Sequence, residues 1–120
     1  MSYVLMYIYR IKGEDREEFL EVMRKARWIY RGHGGAGEEL FLLDNDAPYY
    51  GLSGIWDVAP IAENEEMWIG LDRYEDAEQC KEVMRTVDED PDINPLYERI
   101  VQLVGSTDRI IRGELEQVEY

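Results

Sequence analysis

Two stretches of this chain are apolar on both of the faces that a β-strand presents. One is Met67-Trp68-Ile69-Gly70-Leu71. The other is residues 2–11, where Tyr3, Leu5, Tyr7, Tyr9 and Ile11 alternate with Val4, Met6, Ile8 and Arg10. Side chains alternate across a strand, so a run that is apolar on both faces has to be covered on both. The chain's own helices can supply one cover. The other has to come from a loop, a further element or a second copy. Such strands belong in the centre of a sheet, and aromatic and β-branched residues favour them there.

The first stretch runs directly into a helix within residues 65–90. Ala77, Cys80, Val83, Met84 and Val87 make one apolar stripe, and Asp72 with Glu75 has the spacing of a capping pair. Residues 14–31 predict a longer helix, with Phe19, Val22, Met23, Ala26, Ile29 and Tyr30 on one side. Acidic residues gather at its start and basic ones at its end, which complements the helix dipole and marks a solvated face. The turn Gly32-His33-Gly34-Gly35-Ala36-Gly37 follows. It is no phosphate loop, because it closes a helix instead of opening one and lacks the Walker spacing.

Residues 38–44 read as a second strand, and Asn45-Asp46-Ala47-Pro48 as a turn. Residues 49–64 are irregular but apolar, carrying Tyr49, Tyr50, Ile55, Trp56, Val58 and Ile61. They hold either a short strand at 52–58 or a flap against the sheet. Pro91 closes the second helix. Asn94 as cap and Pro95 at the first helical position predict a third, ended by Gly105. Residues 107–120 read as a charged edge strand, with Gly113 marking a bulge. The order is β-α-β-(loop or β)-β-α-α-β, two split strand-helix-strand halves. That makes an α+β, ferredoxin-like sandwich: an antiparallel sheet with helices on one face, in a single domain over residues 1–120.

At −14, the net charge disfavours nucleic acid and anionic membranes as partners, since both are held through Lys and Arg. Three lysines stand against ten arginines, an acidic, lysine-poor surface that also fits a salt-rich cytoplasm. No apolar stretch approaches the roughly 20 residues of a membrane span. No signal-peptide pattern opens the chain, so the expected location is cytoplasmic. Cys80 is alone and at helical spacing, which points to a core thiol.

The opening strand, the long helix ending in Gly32-His33-Gly34, the run Trp68-Ile69-Gly70-Leu71-Asp72-Arg73-Tyr74-Glu75-Asp76-Ala77 and the later Asp90-Pro91-Asp92-Ile93 together resemble the dimeric α+β barrel superfamily. That superfamily includes antibiotic-biosynthesis-type monooxygenases. The spacing from His33-Gly34 through Asp46-Ala47-Pro48 to Trp68 is most similar to a small family of uncharacterised bacterial proteins. Residues 95–104 depart from the smallest members and bear on the shape of any pocket. The resemblance implies a homodimer whose two sheets close over each other. It also implies an activity that needs no cofactor, in which the protein positions an electron-rich substrate for reaction with oxygen.

Four aromatic residues are candidates for ligand binding. Tyr7, Tyr9 and Trp68 lie on the central strands, placed to line a pocket between sheet and helices, with Trp56 on the flap. The same residue types also suit a core or a dimer interface. His33, the single histidine, is the weak candidate for catalysis, with a turn histidine as the alternative. One His and one Cys cannot make a zinc site, no EF-hand spacing is present, and neither serine has a nucleophile elbow. No metal and no cofactor is expected. Three functions follow: a binder of a small apolar or aromatic molecule, a cofactor-independent monooxygenase, or a structural or partner-binding dimer.

Overall fold

The computed structural model describes residues 2–120. Its elements are β1 (Tyr3–Lys12), α1 (Arg16–Gly32), β2 (Glu39–Leu42), β3 (Glu65–Tyr74), α2 (Ala77–Asp88), α3 (Ile93–Val104) and β4 (Ile111–Glu116), with short 3₁₀ turns before α1, within the long loop and before β4. The strands form one antiparallel sheet in the order β2-β3-β1-β4. The two strands that are apolar on both faces are thus the central pair, in register from Tyr3 opposite Tyr74 to Lys12 opposite Glu65. This is the ferredoxin-like α+β arrangement. The sheet of one chain is open, not a closed barrel.

All three helices cover the face that carries Leu5, Tyr9 and Ile11. Phe19, Val22 and Met23 of α1 meet Ile100, Leu103 and Val104 of α3 over Tyr9, Ile11 and Trp68. Cys80, Val83 and Val87 of α2 pack with Leu5 and Tyr74. Leu5, Ile11 and Phe19 are fully buried, worth about 1.5–3 kcal/mol each. The opposite face is half covered. Residues 49–64 form no strand there but fold back as a flap. Ile55, Ala59 and Ile61 lie over Ile8 and Met67. Arg10 holds the flap by donating from Nη1 to the Pro60 carbonyl at 3.1 Å. Beyond the flap, Val4, Met6, Ile69 and Leu71 stay partly exposed, and Phe41 and Leu115 are nearly half exposed.

Several boundaries differ from the sequence reading. Asp72 caps nothing: β3 continues through it to Tyr74, because pairing with β1 runs that far. The cap of α2 is Asp76, whose carboxylate accepts from the Gln79 backbone N–H at 2.8 Å. Helix α3 starts at Ile93, so Pro95 falls at its third residue, still within the turn whose N–H groups lack intrahelical partners. Gly113 makes no bulge, since β4 pairs with β1 one residue for one through it. Strands β2 and β4 are both shorter than their sequence ranges. Asp76→Ala is expected to cost about 1 kcal/mol in denaturant unfolding. Glu75→Ala should stay within about 0.5 kcal/mol of the parent, as an ordinary surface substitution.

Candidate functional site

Packing between sheet and helices is incomplete at one place. A cavity of about 120 Å³ lies there, bordered by Tyr7 and Tyr9 of β1, Asp72 of β3, Arg27 and Tyr30 of α1, and Glu38 just before β2. Met23, Ala26, Leu96 and Ile100 supply its apolar wall, and the half-exposed Tyr97 stands at its rim. Two rows of the sheet therefore meet α1 and α3 without filling the space between them.

Glycines put the carboxylate there. Gly37 has φ +87°, and a Cβ on it would lie 2.4 Å from Cγ of Arg27, so the chain passes tightly beneath α1. The next residue, Glu38, lays its side chain over Gly70 of β3, where an added Cβ would meet Oε1 at 2.0 Å. The missing side chain at Gly70, opposite Tyr7 in the register, is the slot that Glu38 occupies. The Tyr9 hydroxyl donates to both oxygens of Glu38, at 2.9 and 3.0 Å.

Burial, with the nearby Asp72 charge adding to it, pushes the Glu38 carboxyl up to about 8 despite the Tyr9 hydrogen bond. Asp72 is 2% exposed, and burial raises its carboxyl too. Its Oδ2 accepts from the Tyr74 hydroxyl, while Oδ1 has no partner. Desolvation keeps Tyr7, Tyr9 and Tyr30 as neutral hydroxyls. Arg112 of β4 donates to the Tyr7 hydroxyl at 3.3 Å, and its guanidinium carbon stands 5.8 Å from the centroid of that ring. The site thus offers hydroxyl donors, two carboxyls and an apolar wall. One carboxyl titrates close to neutrality, as a general acid or base requires.

Of the residues singled out in the sequence, the structure brings Tyr7 and Tyr9 together, with stacked rings 5.8 Å apart. Trp68 does not line the cavity. It is buried beside Phe19, 6.0 Å between rings, with its indole N–H donating to Glu66. Trp56 does not line it either, because its turn belongs to the flap on the opposite face of the sheet. His33 stands apart, with Nε2 2.8 Å from Oδ2 of Asp90. It clamps the turn after α1 to the connection between α2 and α3, and holds the Asp90 carboxyl below its ordinary range. Glu38, Asp72 and Tyr30 also border the cavity and were not singled out in the sequence as pocket residues. The signal for Glu38 was there: an acid directly after a glycine run, and a lone glycine inside an otherwise apolar strand.

A raised carboxyl has a definite effect on stability. Between the unfolded value near 4.5 and about 8, folded Glu38 binds a proton that the unfolded chain has lost. Its contribution therefore falls as pH rises through that window. Glu38→Gln should match the parent in stability at pH 4 and exceed it at pH 8.5. Urea unfolding at both values checks this, and a constant difference between the two proteins would refute it.

Neither a family model nor a curated protein sequence matches the chain. Solved structures do. A dimeric ferredoxin-like protein from an uncultured marine organism superposes with a TM-score of 0.63 at 12% identity, covering 99% of this chain and 97% of that one. A NIPSNAP domain protein from Burkholderia xenovorans gives 0.61 at 16% identity, over 98% and 96%. SnoaB, a cofactor-independent oxygenase from Streptomyces nogalater, gives 0.60 at 14%, over 99% and 95%. At such identities the likeness is one of fold. It runs almost end to end, and it supports the ferredoxin-like α+β fold described above.

Proposed function

We propose that this protein is a homodimer that binds a small, single-ring aromatic or similarly compact molecule in the cavity between sheet and helices. The cavity itself carries the reading. Its volume of about 120 Å³ is near the roughly 150 Å³ of an apolar protein cavity known to hold benzene. Tyrosine hydroxyls and Glu38 could orient a polar substituent, while Met23, Ala26 and Ile100 take the ring. The dimer is supported by the apolar strip Met6-Ile69-Leu71-Phe41-Leu115 beyond the flap, and by neighbours described as dimeric. No helix among the described residues is long and apolar enough to cross a membrane. The lone, buried Cys80 supports residence in the cytoplasm.

Phenol and benzyl alcohol at a hundredfold excess over Kd should stabilise the fold by about 2.7 kcal/mol, read as a rise in Tm. Ala26→Leu, which fills the cavity, should abolish that rise. No shift with any compact aromatic would leave a structural dimer without a ligand. Light scattering at micromolar concentration should give twice the 14.2 kDa chain mass. Leu71→Glu, a charge placed on the open face, should give the single mass; an unchanged dimer would refute pairing through this face.

A second reading, a cofactor-independent monooxygenase acting on an aromatic substrate, draws on Glu38. A carboxyl titrating at about 8 suits removal of a proton from a phenol or quinol. The fold likeness to SnoaB agrees with it. Oxygen uptake with small quinols that disappears in Glu38→Gln would establish this activity, and no uptake with the parent would remove it.

A further inference from the structure

The cavity is bordered by buried polar groups that a purely apolar occupant leaves unpaired. Glu38 and Asp72 both border it, one entering from the β2 side and one from β3. Among the described residues, neither takes part in an ion pair. Asp72 is the sharper case: 2% exposed, with Oδ1 lacking any donor. Buried oxygens are nearly always partnered, and an orphan carries its full desolvation cost.

The groups around the two carboxyls are Tyr7 and Tyr9 from β1, Tyr74 from β3, Arg27 and Tyr30 from α1, and Tyr97 from α3. Arg27 is the one cation among them. It pairs with neither acid, and its own buried Nε has no acceptor. Glu38 keeps its proton below about pH 8, and only once both acids are ionised do two carboxylates against one guanidinium leave the lining net negative. The walls suit a positive head group as well. Tyr7 already has the Arg112 guanidinium over its ring on the β4 side, and Tyr9 stacks beside it. A chain of net charge −14 also raises the local concentration of cations.

We infer that the cavity takes a compact organic cation, an ammonium or amidinium group on a small apolar body, whose N–H groups donate to Glu38 and Asp72. This rests on the cavity being the ligand site and specifies the chemistry of its occupant. An anion would meet two carboxylates. A neutral alcohol or phenol brings one donor where two acids stand. An ammonium brings three and cancels the excess charge. Its apolar body lies against Met23, Ala26 and Ile100. Because such a ligand selects the ionised form of Glu38, binding releases a proton below about pH 8.

Titration calorimetry with benzylammonium, benzyl alcohol and benzoate tests this on the intact protein. Benzylammonium should bind about tenfold or more tighter than benzyl alcohol, the least that one charge-assisted hydrogen bond supplies. Benzoate should bind weakest of the three. Benzylammonium affinity should rise from pH 6 to pH 8, with a heat that varies with the ionisation enthalpy of the buffer. Glu38→Gln, checked for an intact fold by circular dichroism, should erase the preference for ammonium over alcohol. Benzyl alcohol or benzoate binding as tightly as benzylammonium would overturn the cation and leave the cavity as a ligand site. Failure of all three to bind would overturn both.

Discussion

The pairing of β1 with β3 sets the terms for the rest of the molecule. Ten residues of each strand are in register, and both strands are apolar above and below. A pair like this has no solvent face, so each other element can be understood as a cover for it. Helices α1, α2 and α3 close one side. The flap closes half of the other. The short strands β2 and β4 guard the edges, where charged residues such as Glu39, Arg112 and Glu114 discourage further strand addition. The part of the face still open is what supports the proposed dimer.

Inside the covered side, the proposed function and stability pull in opposite directions. A core completed with one more large apolar side chain would gain dispersion contacts and lose its cavity. Here the space is kept, and two acids border it. Burial makes both weaker acids, and for Glu38 the cost grows as pH rises from about 4.5 to about 8. Sites of function commonly concentrate such local expense, since groups tuned away from their solution behaviour are what recognition and proton transfer use.

The sequence showed the two central strands clearly, because runs that are apolar on both faces have few other places in a sheet. The three helices were legible from their stripes, and Gly105 from its place after the last apolar residue. What eluded it was three-dimensional. Asp72 looked like a cap because Glu75 follows at the right interval, but the strand continues where β1 offers partners, and Asp76 takes the cap instead. Trp56 looked like a wall of the pocket, but a flap can fold to either side of a sheet, and no local pattern says which. Glu38 was passed over because its importance comes from Gly70, a residue 32 positions away that meets it only after folding.

The placement of Glu38, which borders the cavity, and of Arg112, which holds Tyr7, has a kinetic consequence. Its floor is the central pair, the part of a sheet that opens least readily. Glu38 and Arg112, in contrast, sit at the two margins, next to the four residues of β2 and the six of β4. Each of those strands is bonded along one side only. Edge segments of this kind detach locally at far less free energy than the whole fold requires. Fraying on the β2 side would carry the carboxylate into water, and fraying on the β4 side would free Tyr7 from its guanidinium. Entry and exit of the proposed ligand would then need only brief loosening of a margin, with the core beneath intact.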